Sequence, residues 1–214
     1  MSSEANQYQF AYTDAPAPSP ASLKTGFSIS AQPDTDIWAK PPNTTPFNAP
    51  TLHRTFPLSR FRAARVDVSA NWETLYDQGG LLLVIREPGA DAAMNATDAK
   101  WVKTGVEFFN GKPFVGTVAR DAWADWSLLP IPPSPSTGGK VGVTVEVARG
   151  EDNSLWVYLV NEAGEKTAIR EVTWPFANEA GKECWVGVYA ARPNKDAGAP
   201  LKVSFANLEI KTVD

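Results

Sequence analysis

The segment Trp101-Val102-Lys103-Thr104-Gly105-Val106-Glu107-Phe108-Phe109 gathers the residue types that could do chemistry. Successive side chains of a strand point to opposite faces. Read as a strand, it puts Val102, Thr104, Val106 and Phe108 on a core face, with Trp101, Lys103, Gly105, Glu107 and Phe109 opposite. That second face is aromatic and ionic, with a glycine gap where another group can approach the backbone. Residues 183–190 divide in the same way, with Cys184, Val186, Val188 and Ala190 on a core face and Trp185, Gly187 and Tyr189 on the other. Two such faces side by side make the floor of a ligand site.

Sugars are held by flat aromatic rings that cover their C–H patches and by a few polar groups that take their hydroxyls. The eight tryptophans supply the first requirement. Tyr76, Asp77, Gln78, Lys103, Glu107, Asp125 and Ser127 are candidates for the second, with Trp101, Trp126 and Tyr189 as the aromatic surface. Trp72, Trp156 and Trp174 lack polar companions and are expected to fill the core or cover the back of a sheet.

Other chemistries find little material. His53 is the only histidine and Cys184 the only cysteine, so an N/S metal centre cannot be built, and a Ser-His or Cys-His scheme lacks its third member. Cys184 falls on a core face and reads as a buried thiol. Carboxylates at Asp34 and Asp36, or at Asp91 and Asp98, are candidates for a structural calcium; no other cofactor is indicated. No phosphate loop of Walker or Rossmann spacing is present. The formal charge of −4 and the lack of Lys/Arg clusters argue against nucleic acid as a partner.

These residues need strands to position them. After a proline-rich leader at residues 1–24, read as a tail or an arm lying on the domain, apolar and polar residues alternate in short runs bounded by Gly, Pro, Asn and Asp. Twelve strands are expected, at 26–31, 51–56, 63–69, 80–87, 101–110, 112–120, 125–129, 141–149, 154–161, 168–174, 183–190 and 201–211. Asn110-Gly111 between two of these runs predicts a type I′ hairpin, and four prolines in residues 130–139 rule out a central strand there. Local hairpins without crossover helices predict an all-β sandwich of two antiparallel sheets, formed by residues 25–214 as one domain. No apolar run approaches the roughly 20 residues that span a bilayer, the N-terminus lacks a signal-peptide pattern, and a lone thiol suits a reducing milieu. A cytoplasmic setting away from membranes is expected.

Three strings in order, Tyr76-Asp77-Gln78-Gly79-Gly80-Leu81, the Trp101–Phe108 segment and Asp125-Trp126-Ser127, resemble the domain-of-unknown-function family that includes the regulation-of-enolase protein. Asp36-Ile37-Trp38 before Lys40-Pro41-Pro42, and Trp185-Val186-Gly187-Val188-Tyr189 before Ala190-Ala191-Arg192-Pro193, are similar to its opening and closing parts. The resemblance covers the chain from about residue 25 onward. It implies a concanavalin A-like jelly roll of the lectin/glucanase kind and a regulatory role in carbon metabolism, with a metabolic enzyme such as enolase as a partner.

The family supplies no catalytic residues. Glycoside hydrolysis needs two carboxyl groups about 5 Å apart for retention or roughly 6.5–9.5 Å for inversion. Glucanases of this fold usually present them as an acidic run on one strand, and Glu107 has no such neighbour. A second carboxylate would come from Asp77, Asp125 or Glu146. The expected function is a non-catalytic module for a carbohydrate or small polyol, ahead of a protein-interaction regulator and of a glycoside-active enzyme using Glu107.

Overall fold

Runs rich in Val, Ile, Leu, Thr and aromatic residues suit a pleated, half-buried surface, and in the computed structural model they form thirteen strands among the described residues. The structure describes residues 8–89, 99–132 and 140–213. Strands β1 (Gln9–Ala11), β3 (Thr51–Pro57), β5 (Gln78–Arg86), β6 (Lys100–Phe109), β7 (Lys112–Arg120), β8 (Ala124–Pro130) and β12 (Glu183–Ala191) form one sheet, in the order β1-β3-β12-β5-β6-β7-β8. The second sheet has the order β11-β10-β9-β4-β13-β2, from β2 (Phe27–Ala31), β4 (Phe61–Ala70), β9 (Val141–Arg149), β10 (Leu155–Val160), β11 (Lys166–Val172) and β13 (Leu201–Thr212). Every strand pairing is antiparallel.

All twelve expected strands are present, with ends that differ by at most two residues. The β6–β7 hairpin turns on Asn110 (φ 49°) and Gly111 (φ 77°), and Phe109 pairs with Lys112 across it. Two positive φ angles in succession are the requirement of a type I′ turn, which Asn-Gly meets at little cost. Two elements lie in the leader. Residues 9–11 add the edge strand β1 to the seven-stranded sheet, and Pro20–Thr25 forms the short helix α1, capped by Ser19 and seating Leu23 in the core. Neither is long enough to show a periodicity.

The core between the sheets is filled by one face of each. Val102 and Val106 on β6, and Cys184, Val186, Val188 and Ala190 on β12, meet Val66, Val145, Val203 and Phe205 from the six-stranded sheet. The alternation read from β6 and β12 is therefore the alternation in space. Trp72 belongs to this core, Trp174 packs at its margin, and Trp156 stacks on Tyr158 with centroids 6.5 Å apart.

The other face of the seven-stranded sheet carries a second apolar cluster. Leu82, Val84, Trp101, Val118, Trp185 and Tyr189 are covered by Ile37, Ala39, Phe47 and Ala49. The covering segment, residues 34–49, folds back on itself through bridges between Ile37 and Phe47 and between Lys40 and Thr44. Ala124 N donates to Ala39 O at 2.9 Å, and Asn48 joins the segment's two ends by accepting from Asp36 N and donating to Asp34 O. The molecule thus has three layers: two sheets and a strap.

Gly80 and Gly105 are paired across β5 and β6. A Cβ at Gly105 would lie 2.1 Å from Gly79 O, and one at Gly80 would lie 2.0 Å from Thr104 O, both backbone atoms. Neither strand can yield without losing its ladder. Gly105→Ala is expected to cost at least about 2 kcal/mol by forced backbone displacement, to be read as a lower urea midpoint at unchanged m-value.

Candidate functional site

The strap changes what the ionic face of β6 can do. Trp101, Lys103, Gln78 and Tyr189 are fully buried and Glu107 retains 7% exposure, so the expected open floor is an interior. The physical reason is apolar: a sheet face bearing Leu82, Val84, Trp101 and Trp185 gains stability when covered, and Ile37, Ala39 and Phe47 cover it. No ligand can lie on the Trp101 ring. Tyr76 (38% exposed), Trp126 and Ser127 remain accessible or partly so.

Lys103 is the centre of the buried network. Its ammonium donates to Ile37 O at 2.6 Å and to Gln78 Oε1 at 2.5 Å, and lies 5.6 to 5.9 Å from the ring centroids of Tyr189, Trp101 and Trp38. Three aromatic faces and two carbonyl oxygens replace part of the water that the charge has lost. Burial still pushes the Lys103 pKa down, against the charges of Asp36 and Glu107, which favour the ammonium. Tyr189 donates to Gln78 Oε1 at 3.3 Å, and its phenol is pushed up by burial and by the same two carboxylates.

Glu107 and Asp36 face Lys103 from different elements. Burial raises Glu107 to about 7, with Lys103 opposing the shift, Asp36 adding to it and Trp126 opposing it. Asp36, on the strap, is also raised by burial, against Lys103 and against hydrogen bonds from Ile37 N at 2.7 Å and Gln78 Nε2 at 3.3 Å. A neutral carboxyl near pH 7 is therefore available beside a buried cation.

Trp126, which interacts with Glu107, belongs to an aromatic rim. Phe109 packs edge-on to Trp126 at 5.3 Å and stacks on Tyr76 at 6.0 Å, while Trp38 meets Trp126 edge-on at 6.1 Å. Trp126, Phe109 and Trp38 are each partly exposed. The buried indole N–H of Trp126 lies close enough to Glu107 to favour its ionised form. Below, Gly116 makes room for the acid: a Cβ there would lie 3.0 Å from Glu107 Oε2.

The remaining expected site residues lie elsewhere. Asp77 is wholly buried and holds Arg192 in a two-point ion pair, Nε to Oδ1 at 2.8 Å and Nη2 to Oδ2 at 2.7 Å. Its Oδ2 also accepts from Thr74 N at 3.0 Å, so Asp77 braces the turn that carries Tyr76 and offers nothing to a ligand. Ser127 donates to Thr117 O at 3.4 Å. Asp125 pairs with Arg170 and Glu146 with Lys166, so none of the three carboxylates named as second acids joins Glu107. The acid that does approach is Asp36, which sequence spacing placed in a calcium pair. Asp91 and Asp98 of the other pair lie outside the described residues. Asp36 and Trp38 were legible as a string, but their closeness to Glu107 depends on the strap.

His53 and Cys184 are structural. The imidazole stacks on Trp185 at 4.0 Å, and burial, with Arg86 nearby, pushes it down to about 4. Cys184 is buried, and burial drives its thiol pKa well above the ordinary range, the opposite of a nucleophile's environment.

Two stacked antiparallel sheets of seven and six strands around a shared core define a concanavalin A-like jelly roll, the architecture of lectins and glucanases. Residues 12–213 match the family described as Protein of unknown function (DUF1349), and the chain belongs to that family. An uncharacterized protein of Emericella nidulans is 52% identical over 192 residues, which span 90% of this chain and 89% of the relative. Regulation of enolase protein 1 of Saccharomyces cerevisiae is 25% identical over 150 residues, 67% of this chain and 60% of that protein. Among solved structures, a functionally unknown protein from Saccharomyces cerevisiae shares the fold with a TM-score of 0.73, at 20% identity over 99% of this chain and 100% of that one. Among the described residues no helix is long and apolar enough to cross a membrane.

Proposed function

We propose that the chain is a non-catalytic binding module for a carbohydrate or small polyol, seated on the rim of Tyr76, Phe109, Trp126 and Trp38 rather than on the floor of the sheet. The observation that carries this reading is the partly exposed aromatic cluster of Tyr76, Phe109, Trp126 and Trp38, with Trp126 close to a nearly buried acid. Aromatic faces take the C–H patches of a sugar, and a few recessed polar groups take its hydroxyls. Trp101, Lys103, Gln78 and Tyr189 support the site from beneath by holding Glu107 and the strap in place. A hydrolase is less well served, because Asp36 and Glu107 both converge on Lys103 under the strap instead of flanking an open cleft. The single thiol, buried at Cys184, supports a cytosolic setting.

Calorimetric titration with a panel of mono- and oligosaccharides tests the reading. Tyr76→Ala and Trp126→Ala are each expected to weaken binding by about tenfold or more, the loss of one stacked aromatic contact. No heat with any sugar or polyol would sink the proposal.

A second reading, docking onto a metabolic enzyme such as enolase, draws on Trp123, just before the edge strand β8, and Leu129 on it, each 40% exposed, and on the name of the yeast relative. Co-sedimentation with purified enolase that is unchanged by Trp123→Ser and Leu129→Ser would remove that surface from consideration.

A further inference from the structure

The outer face of the six-stranded sheet has no strap. Val66, Val145, Val147 and Leu155 turn into the core, so their strand neighbours, Ala63 and Arg65 on β4, Glu146 and Ala148 on β9, and Trp156 and Tyr158 on β10, point outward. All of these except Glu146 keep part of their exposure, so no segment among the described residues closes this face.

Register sets the groups in order across the strands. Trp156 stands opposite Ala148, Ala148 opposite Ala63, and Ala63 opposite Lys211 on β13. The indole therefore borders a flat floor of alanines. It is seated by Gly150, where a Cβ would lie 2.9 Å from its Cδ1, and by Tyr158, whose ring is inclined to it by 29°. At the far end of the floor is a recess of about 10 Å³, lined by Ala63, Ala64, Arg65, Glu146, Glu209 and Lys211. It has room for one water-sized group. The Glu146 side chain is only 9% exposed, and among the described residues its one hydrogen-bonding side-chain partner is Lys166, on Oε1 at 2.5 Å. Arg65 is paired in register with both Glu146 and Glu209, yet among the described residues its guanidinium makes no ion pair or hydrogen bond.

We propose that this face is a second carbohydrate site, on the sheet opposite the rim, that takes a neutral oligosaccharide laid across β10, β9 and β4. One sugar ring stacks on Trp156, the chain crosses the alanines, and a hydroxyl of a following unit enters the recess between Glu146 and Arg65. A carboxylate that accepts and a guanidinium that donates are the complement of a hydroxyl, which does both through one oxygen. Strands β10 and β4 are two intervals apart, about 9.6 Å, a span for linked units rather than for one ring. Arg65, Lys166 and Lys211 are matched by Glu146, Glu171 and Glu209, so the face has no excess charge to select an ionic ligand. The site goes beyond the rim reading and stands on different residues.

The test is fluorine NMR of protein labelled with fluorotryptophan, with the Trp156 and Trp126 signals assigned by Trp156→Phe and Trp126→Phe. The probes are cellotetraose, maltotetraose, xylotetraose and glucose. At least one tetrasaccharide is expected to shift the Trp156 signal to saturation, and glucose to bind there about tenfold more weakly. Glu146→Gln, which keeps the shape and removes the charge, and Ala148→Gln, which fills the floor at a partly exposed position, should each weaken that binding about tenfold. Wild-type affinity in either variant, or glucose as tight as the tetrasaccharides, overturns the inference. A shift confined to Trp126 overturns it and leaves the rim standing, whereas a shift confined to Trp156 supports it and removes the rim. If no probe moves either signal, both sites fall. A dimer seen by sedimentation without sugar and lost in Ala148→Gln also overturns it, because the face is then a contact between copies.

Discussion

Replacing Arg192 with alanine is expected to lower the free energy of unfolding by about 3–5 kcal/mol, because it strands Asp77 as an uncompensated buried charge. The guanidinium meets both oxygens of Asp77 and donates to Ala199 O at 2.6 Å, while the backbone N–H of Arg192 donates to Thr35 Oγ1 at 3.0 Å. Both partners are almost free of solvent, with side-chain exposures of 8% and 0%, so water cannot replace the lost charge. Asp77 in turn accepts from the backbone of the turn at residues 73–77, and Phe108 N donates to Asp77 O at 2.8 Å. The pair therefore ties three things together: the rim turn with Tyr76, the end of β12 and the start of the strap. Asp77→Ala should cost a similar amount, and the double variant much less than the sum, since each single change removes the same contact. Urea denaturation of the four proteins gives the coupling. A loss below about 1 kcal/mol for Arg192→Ala would mean that the pair is solvated in solution.

The second large effect is a pair of opposed pH dependences. Glu107 has a folded value of about 7 against an ordinary 4.5, so it takes up a proton on folding, and its contribution to stability falls as pH rises between those values. His53 has a folded value of about 4 against 6.5, so it gives up a proton on folding, and its contribution rises with pH across that interval. Each slope is about 1.4 kcal/mol per pH unit, with opposite sign, and from pH 4.5 to 6.5 they offset one another. Glu107→Gln should remove one of them. Relative to wild type, its stability should rise by about 1.4 kcal/mol per pH unit from pH 4.5 to 7. His53→Phe, which keeps a ring against Trp185, should show the opposite slope relative to wild type from pH 4 to 6.5. Asp36, also raised by burial, acts in the same direction as Glu107. Parallel stability profiles for wild type and Glu107→Gln would show that Glu107 ionises normally in the folded protein.

Both effects arise from charges whose burial no sequence pattern announces. Lys103 and Glu107 were legible as residues sharing one face of a strand, because side-chain alternation is a local property. What covers that face was not. Alternation around Asp36-Ile37-Trp38 is short and broken by Pro41 and Pro42, and it bears no sign of packing against a strand some sixty residues away in the chain. Asp77 shows the same limit. Its place beside Tyr76 and Gln78 read as a polar ligand group, yet the side chain next to Gln78 in a strand faces the other way, and there it meets Arg192 from the far end of β12.

By itself the sequence determined twelve of the thirteen described strands, the Asn110-Gly111 turn and the division of β6 and β12 into two faces, since these depend on neighbours one or two residues apart. The Asn110-Gly111 hairpin and the valines of β6 and β12 leave few alternatives to a two-sheet sandwich. Only the tertiary structure decided which groups became solvent-exposed and which became neighbours. The strap turned an expected open floor into an interior and brought Asp36 to Lys103. It also closed the Trp101 ring to ligands and left the partly exposed rim at Trp126 beside it, since covering an apolar sheet face is a long-range gain that depends on the whole fold rather than on local spacing.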